Sequence, residues 1–308
     1  MSDFTSGFWG VYVALLTLLS IAFCAFILVR MSRRKVASDP DKTGHVWDED
    51  LDEYNNPLPR WWVWLFWITI VFALGYLWIY PGLGTWGGAS HWTSHAQYEG
   101  EMKAAEARFG PLYQKYAGAD IREVSANPEA RAIGQKLFMT YCTQCHASDA
   151  RGGRGFPNLT DDDWLWGGTP EKIQETILDG RNGVMPPFGP MLGKDGVLDT
   201  ANYVRSLSGL SHDAARAERG KKNFATYCVG CHGADAKGNT LMGAPNLTDQ
   251  IWLFGPSEAT IVETITNGRN IVMPAHRNFL GEARVHLLAA YVYSLSHPET
   301  QRRVAEAK

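Results

Sequence analysis

The stretches Cys142-Thr143-Gln144-Cys145-His146 and Cys228-Val229-Gly230-Cys231-His232 are two copies of one five-residue pattern. A Cys-x-x-Cys-His segment is the attachment pattern of a c-type haem. Each cysteine thiol adds across one vinyl group of the porphyrin, and the adjacent histidine becomes an axial ligand of the iron. The two segments therefore predict two covalently attached haem c groups and a role in electron transfer. The attaching residues are Cys142, Cys145, Cys228 and Cys231.

A zinc site or a redox dithiol is the competing interpretation of a Cys-x-x-Cys pair. Zinc needs its ligands gathered into one tetrahedral set, whereas these ligands are divided between two copies of the same pattern. The histidine that directly follows both pairs favours haem.

The sequence around the two patterns is duplicated. After the patterns, the offset between the copies grows from 86 to 88 residues, so the second copy carries a two-residue insertion. The matching positions include Gly134 with Gly220, 157–161 with 245–249, Trp164 with Trp252, Met185-Pro186 with Met273-Pro274, and 203–208 with 291–296. A repeat of about 85 residues is small for a stable core of its own, and an enclosed haem supplies the missing apolar centre.

Each repeat is predicted to be helical with few strands. One helix leads into the haem pattern, and a middle helix starts near Thr169-Pro170 or Ser257, where Thr or Ser can cap and Pro suits the first turn. The middle helix ends at Gly180 or Gly268, since glycine is a common helix stop. A last helix ends each copy. This order of elements resembles a class I-type cytochrome c.

The axial ligands are predicted from the same duplication. His146 and His232 are the fifth ligands, and Met185 and Met273 are the candidates for the sixth because both precede proline at equivalent places. A thioether opposite histidine raises the reduction potential of the iron and occupies its sixth coordination position. Pairing within one repeat is the default expectation, and exchange between the repeats stays open.

Other candidates have less support. Met191 and His276 lie near the two methionines but have no counterpart in the other copy. Four side chains can either contact haem propionates, because Arg and indole N–H groups donate to carboxylates, or pack against the porphyrin. These are Arg181, Arg269, Trp164 and Trp252.

Two apolar runs predict membrane-spanning helices. The segment from Phe4 to Val29 has no charged residue, and the run from Trp61 to Tyr80 has aromatic residues at both ends. About 20 apolar residues span a bilayer, and aromatic residues favour its interfaces. A cleaved signal peptide is the weaker interpretation of the first run, because neither a basic region nor a cleavage site flanks it. A buried helix of a soluble protein is the alternative for both.

The basic residues predict the orientation. The loop between the two runs contains Arg30, Arg33, Arg34, Lys35, Lys42 and Arg60, and neither outer flank has a basic residue up to Met102. The positive-inside rule places this loop in the cytoplasm. The haem segments then lie on the periplasmic side of a bacterial inner membrane. This is also the side on which c-type haem is attached.

The predicted fold class is mainly α, with two N-terminal transmembrane helices followed by two tandem class I-type cytochrome c domains. The predicted divisions are 1–95 for the anchor, 96–127 for a partly helical linker, and 128–210 and 211–308 for the two cytochrome domains. The net charge of −3 gives no indication of nucleic-acid binding.

The whole chain resembles one family, the membrane-anchored dihaem cytochrome c subunit (subunit III) of cbb3-type cytochrome c oxidases. The tandem haem repeats carry part of this resemblance. The more specific part is the sequence at the membrane entry. It comprises 44–48 (Gly-His-Val-Trp-Asp), 54–62 (Tyr-Asn-Asn-Pro-Leu-Pro-Arg-Trp-Trp) and 80–84 (Tyr-Pro-Gly-Leu-Gly).

The resemblance implies a role at the electron entry of a terminal oxidase. Such a subunit accepts electrons from a soluble cytochrome c and passes them toward a monohaem cytochrome c subunit and the haem–copper catalytic subunit, where oxygen is reduced. This chain would then transfer electrons without catalysing the oxygen chemistry. Two alternatives remain: a free-standing membrane dihaem carrier, and a dihaem peroxidase, which would need an open iron and is disfavoured by the two methionines.

Overall fold

The computed structural model describes residues 6–33, 42–54 and 56–297. Phe4, Arg34, Lys35 and Asn55, which contribute to the predictions above, lie outside these residues. The chain divides into two compact units, with the boundary between Ala107 and Arg108.

The first unit contains the two apolar helices. Helix α1 spans Gly7–Ser32 and helix α2 spans Arg60–Ile79, and they pack against each other. Both are long and apolar enough to cross a membrane, with mean hydropathies of 2.6 and 1.9 over their best 18 residues. Only 6% of each of these windows is buried within the protein, which is the exposure expected of lipid-facing helices and not of a soluble core.

A β-hairpin occupies part of the connection between these helices, where no strand was predicted. Strands β1 (Lys42–Trp47) and β2 (Leu51–Tyr54) pair antiparallel. The Trp47 indole donates to Glu53 at 2.6 Å, and Lys42 pairs with Asp52. Polar cross-strand pairs hold an exposed hairpin that the apolar periodicity of the sequence does not reveal.

Helix α3 (Ser94–Gln114) crosses the boundary between the units, and the second unit is otherwise built of short elements. Up to the middle of the unit these are α4 (Ile121–Ala126), α5 (Pro128–Tyr141), α6 (Thr143–His146), α7 (Pro170–Asp179), β3 (Arg181–Met185) and α8 (Gly189–Leu207). They are followed by α9 (Ala214–Tyr227), α10 (Val229–His232), α11 (Glu258–Asn267), β4 (Arg269–Met273), α12 (Arg277–Leu280) and α13 (Glu282–Ser296).

The middle helix of each repeat begins and ends where it was predicted. The Thr169 side chain accepts from the Lys172 N–H at the start of α7, and Ser257 accepts from Thr260 at the start of α11. Gly180 and Gly268 follow the two helices with φ of +71°, a conformation that glycine adopts at little cost. These local signals therefore predict α7 and α11 correctly.

The helices of the two repeats are exchanged in the packing. Helix α5 packs on α13, which begins 141 residues after the end of α5, and α8 packs on α9. The first module is therefore formed by α5, α7 and α13, and the second module by α9, α11 and α8. The division at 210/211 follows the sequence repeat and remains a prediction, because the packing of both modules crosses that point.

Each module has its own apolar core. Phe138, Leu287 and Leu288 are fully buried in the first, and Ala201 and Phe224 are buried in the second. The two longest helix contacts depend on glycine. A Cβ at Gly134 would lie 2.5 Å from the Leu287 carbonyl oxygen, and one at Gly220 would collide with the Asp199 carbonyl oxygen. The glycines that match between the repeats therefore allow close helix approach in both modules.

A two-stranded ribbon joins the modules. Strands β3 and β4 pair antiparallel, so that Arg181 lies opposite Met273 and Met185 lies opposite Arg269. Each repeat supplies one strand, and the pairing is symmetric about Gly183 and Ile271. The strands were not predicted individually, because each is only five residues long and is completed by the other repeat.

Candidate haem sites

The two Cys-x-x-Cys-His segments lie at the ends of α5 and α9. The first cysteine of each, Cys142 or Cys228, ends the long helix, and its carbonyl accepts from the histidine N–H at 3.0 Å. The short helices α6 and α10 follow. This tight turn places both cysteines and the histidine of each segment within a single helical turn, as two-point attachment beside an axial ligand requires.

Both histidines are oriented by a backbone carbonyl. The Nδ1 atom of His146 lies 3.2 Å from the Pro157 oxygen, and that of His232 lies 3.1 Å from the Pro245 oxygen. A carbonyl oxygen only accepts, so Nδ1 carries the proton and Nε2 presents its lone pair. Burial lowers the pKa of both histidines. The neutral imidazole that iron ligation needs is therefore favoured.

The cysteines differ in exposure within each segment. Cys142 and Cys228 are partly buried, whereas Cys145 and Cys231 are exposed. Burial, with a smaller contribution from the second cysteine, raises the pKa of Cys142 and of Cys228 to about 11. The inner thiols are thus held protonated. Among the residues that the structure describes, no three His, Cys, Asp or Glu side chains are grouped as a zinc site would need.

The two candidate methionines lie in the module opposite to the one that their repeat would suggest. Met273 of the second repeat packs with Cys142 and Trp164 against the first core. Met185 of the first repeat packs with Cys228 against the second core. The packing therefore favours exchange of the methionines, the alternative that the sequence left open, over pairing within one repeat.

Backbone contacts hold this exchange in place. A Cβ at Gly180 would collide with the Met273 carbonyl oxygen, and one at Gly268 with that of Met185. The His276 N–H donates to the Ile177 oxygen at 3.1 Å, and the Phe188 N–H donates to the Ile265 oxygen at 2.9 Å. The glycine that ends each middle helix thus permits the methionine strand of the other repeat to pass close to it.

The four candidates for contact with haem propionates fall into two groups. Arg181 donates to Glu175 at 2.9 Å and to Thr176, and Arg269 makes the equivalent bonds to Glu263 and Thr264. Both arginines are therefore engaged within their own repeats. Trp252 differs, because its buried indole N–H has no hydrogen-bond partner.

The orphaned Trp252 N–H supports the presence of a bound group in the second module. A buried donor without an acceptor is costly, and a haem carboxylate would satisfy it. Together with the paired cysteines and the oriented histidines, this unpaired donor shows that the residues present fit haem c. Trp164, its counterpart, packs against the first core.

The rival ligands are placed less favourably. Met191 is 58% exposed and belongs to neither core. His276 follows strand β4, and its buried Nδ1 atom has no partner. No structural observation gives either residue a counterpart in the other module.

Sequence reasoning missed the carbonyl groups that orient the histidines. Both belong to the repeated Pro-Asn-Leu-Thr-Asp segment, in which the Asn158 side chain accepts from Thr160, and Asn246 accepts from Thr248, to hold a tight loop. The signal was present, since this segment recurs after both haem patterns, 11 residues after His146 and 13 residues after His232. Its role became clear only from its position beside the imidazole.

Comparisons with known proteins cover both parts of the chain. Residues 39–87 match the family model for the N-terminal domain of cytochrome oxidase-cbb3, FixP. Residues 129–204 and 215–292 each match the model for cytochrome c oxidase, cbb3-type, subunit III.

Curated relatives match along nearly the whole length. The chain is 50% identical over 301 residues to the cbb3-type cytochrome c oxidase subunit CcoP of Rubrivivax gelatinosus, covering 97% of this chain and 99% of the relative. It is 46% identical over 272 residues to subunit FixP of Bradyrhizobium sp. strain ORS 278, covering 82% and 93%. The subunit CcoP of Cereibacter sphaeroides is 39% identical, with coverage of 85% and 96%.

Proposed function

Because the chain belongs to the subunit III family of cbb3-type cytochrome c oxidases, we propose that it carries two haem c groups, one on each Cys-x-x-Cys-His segment. It is a membrane-anchored, haem-c-binding electron-transfer subunit of the oxidase. The finer assignments of ligands, partners and orientation below belong to the proposal.

The first haem would be held by Cys142 and Cys145, and His146 and Met273 would bind its iron. The second would be held by Cys228 and Cys231, and His232 and Met185 would bind its iron. The observation that carries this crossed assignment is that each methionine packs against the same core as the first cysteine of the other repeat.

The protein residues prepare these sites for fast outer-sphere transfer. Haem c, when bound, supplies one-electron exchange between ferric and ferrous iron. The Pro157 and Pro245 carbonyls hold the imidazoles in one tautomer, which limits reorganisation at the iron ligand. Binding of the iron by a methionine as well as a histidine would raise the reduction potential and would leave no open position for peroxide or oxygen. No acid–base catalytic residue is required in this chain.

Membership of the oxidase family supports a direction of electron flow through this subunit. Electrons enter from a soluble cytochrome c and leave toward the monohaem cytochrome c subunit and the haem–copper catalytic subunit. The basic residues near the ends of α1 and α2, including Arg30, Arg33 and Arg60, support a cytoplasmic loop and hence periplasmic haem domains.

A redox titration of the intact complex tests the crossed ligands. A Cys145→Ala change leaves one thioether on the first haem, which displaces its absorption band and so marks it. In that background, Met273→His should lower the potential of the marked haem by a sizeable part of the roughly 0.8 V range that axial ligands set. Met185→His should lower only the potential of the unmarked haem.

The two methionine variants serve as controls for each other. Movement of the marked haem with Met185→His would show pairing within a repeat and would overturn the crossed assignment. If neither variant moves either potential, the two methionines are not ligands at all.

A further inference from the structure

An open groove runs along the second module between α8 and α11. Its volume is about 730 Å³. Val197, which is only 2% exposed, lies at its base. The side chains that define the open groove are Pro187, Pro190, Lys194, Leu198, Val262 and Thr266.

In the first module, a helix of the chain itself packs on the two helices that correspond to α8 and α11. By the 88-residue offset, α13 and α7 correspond to α8 and α11, and helix α4 packs on both α13 and α7. Its Ile121 and Val124 side chains are 6% and 2% exposed within the first core. Arg122 of α4 also lies 3.4 Å from Glu171 of α7. A short amphipathic helix is therefore the kind of element that this groove accepts.

Among the residues that the structure describes, the second repeat supplies no such helix. The counterpart of α4 falls at 207–212, which is the turn from α8 into α9. This turn is fixed by Arg205, which donates to the Ser211 oxygen at 2.8 Å, and by Asp213, which caps α9. Within 56–297, the chain therefore packs a helix on α7 and α13 but none on the corresponding face of α8 and α11.

The two modules also differ in a local ion pair. In the first module, the Arg277 guanidinium donates to Asp179 at 2.8 and 3.0 Å and to Glu282 at 2.7 Å. The corresponding residues of the second module are Gly189, Asn267 and Lys194. The side chain that would narrow the groove is thus absent from the second module.

At two of three compared positions, the open groove has an apolar residue where the first module has a polar one. Leu198 stands in the place of His286, and Val262 in the place of Gln174, whereas Thr266 replaces Leu178. Lys194 lies at the rim, and it has no carboxylate within ion-pair distance among the described residues. An apolar floor beside an unpaired cation suits a ligand with apolar side chains and a carboxylate.

We propose that the open groove binds a short amphipathic helix of another subunit of the oxidase, with two apolar side chains one turn apart and a carboxylate that pairs with Lys194. The inference rests on membership of the oxidase complex and not on the ligand assignment of either haem. A helix bound in this groove alone would bury less surface than the roughly 800 Å² per partner of a standard interface. Tethering within one membrane complex raises the effective concentration of the helix, so a small contact suffices.

Zero-length cross-linking of the intact oxidase in its native membrane tests the contact. A carbodiimide joins an amine directly to a carboxylate in contact with it, so Lys194 should be linked to an Asp or Glu of another subunit, located by mass spectrometry. Lys194→Arg keeps the charge but lacks the amine, and it should abolish this link alone. Links from Lys194 only to a second copy of this chain, or none to any subunit, would overturn the proposal.

Two variants test whether the groove contributes to assembly. Lys194→Glu reverses the rim charge, and Thr266→Trp fills the groove. Each should release the subunit from the detergent-solubilised complex at least tenfold more readily in moderate salt, with both haems still attached. Lys222→Glu on α9, an exposed lysine outside the groove, is the matched control and should be retained like the wild type. Unchanged retention of both groove variants would contradict the proposal, whatever the haem potentials show.

Discussion

At the residue scale, Asp163 breaks the symmetry between the repeats, because its counterpart is Ile251. Asp163 lines a cleft with Lys237 and Asn246 of the other repeat. Burial, followed by the nearby Asp249 and Asp161 carboxylates, raises its pKa from 3.8 to about 6. The folded protein therefore binds this proton more tightly than the unfolded chain does.

The raised pKa of Asp163 predicts a pH effect on stability. Between pH values of about 4 and 6 the folded state holds more protons at this group, so the free energy of unfolding contributed by Asp163 falls as the pH rises and is constant above that window. Asp163→Asn removes the titrating group, so it should remove this decrease in the free energy of unfolding. It should raise the melting temperature relative to the wild type near neutral pH, and less so near pH 4.

Thermal unfolding of the haem-loaded protein at the two pH values measures this effect. Asp162→Asn is the matched control, since Asp162 is exposed and adjacent. An equal shift for the two variants, or the same shift of Asp163→Asn at both pH values, would show that Asp163 does not titrate in this window.

At the element scale, the close approach of α5 to α13 depends on Gly134. A Cβ at this position would lie 2.5 Å from the Leu287 oxygen and 2.7 Å from the Tyr291 Cβ. Both neighbours belong to the helix, so neither can move alone. The helix pair therefore tolerates no side chain at this crossing.

Gly134→Val should destabilise the first module by about 1–3 kcal/mol, as overpacking of a core does. Chemical denaturation followed by the absorption of each haem would measure the loss. Gly100→Ala is the control, because nothing lies within 4 Å of its Cβ and alanine favours an exposed helix by about 1 kcal/mol. Equal stability of Gly134→Val and the wild type would refute the close approach.

The pairing of these helices marks the limit of prediction from the sequence. Thr169 and Gly180 fix the ends of α7 by local chemistry, and the Cys-x-x-Cys-His segments identify their own group, so both were predictable. The partner of α5 was not, because α8 and α13 carry the same Tyr-Val-x-Ser-Leu-Ser ending. The two helices share this ending, so the sequence offers α5 two similar partners, and the tertiary arrangement decides between them.

At the scale of the whole molecule, each of the two modules contains helices from both sequence repeats. A cut between 210 and 211 separates α5 from α13 and α8 from α9. Neither half then retains its longest helix contact or, under the crossed assignment, its methionine ligand.

Separate expression of 108–210 and 211–297 should therefore give fragments without a cooperative unfolding transition or a Met-ligated haem. Co-expression of the two should restore both properties, because the contacts across the cut are intact once the fragments associate. Circular dichroism and the charge-transfer band of Met-ligated ferric haem would measure this. Two independently folded fragments with Met-ligated haem would refute the exchanged packing.

The exchange of helices also sets the order in which the sites are completed during synthesis. The core against which Cys142 packs includes residues of α5, which is synthesised early, and of α13, which is synthesised late. The core against which Cys228 packs includes residues of α8 and Met185, which are synthesised before Cys228 and Cys231. The first haem segment is thus synthesised before the second, but its core is completed later. That core is complete only after α13 has been synthesised through Ser296.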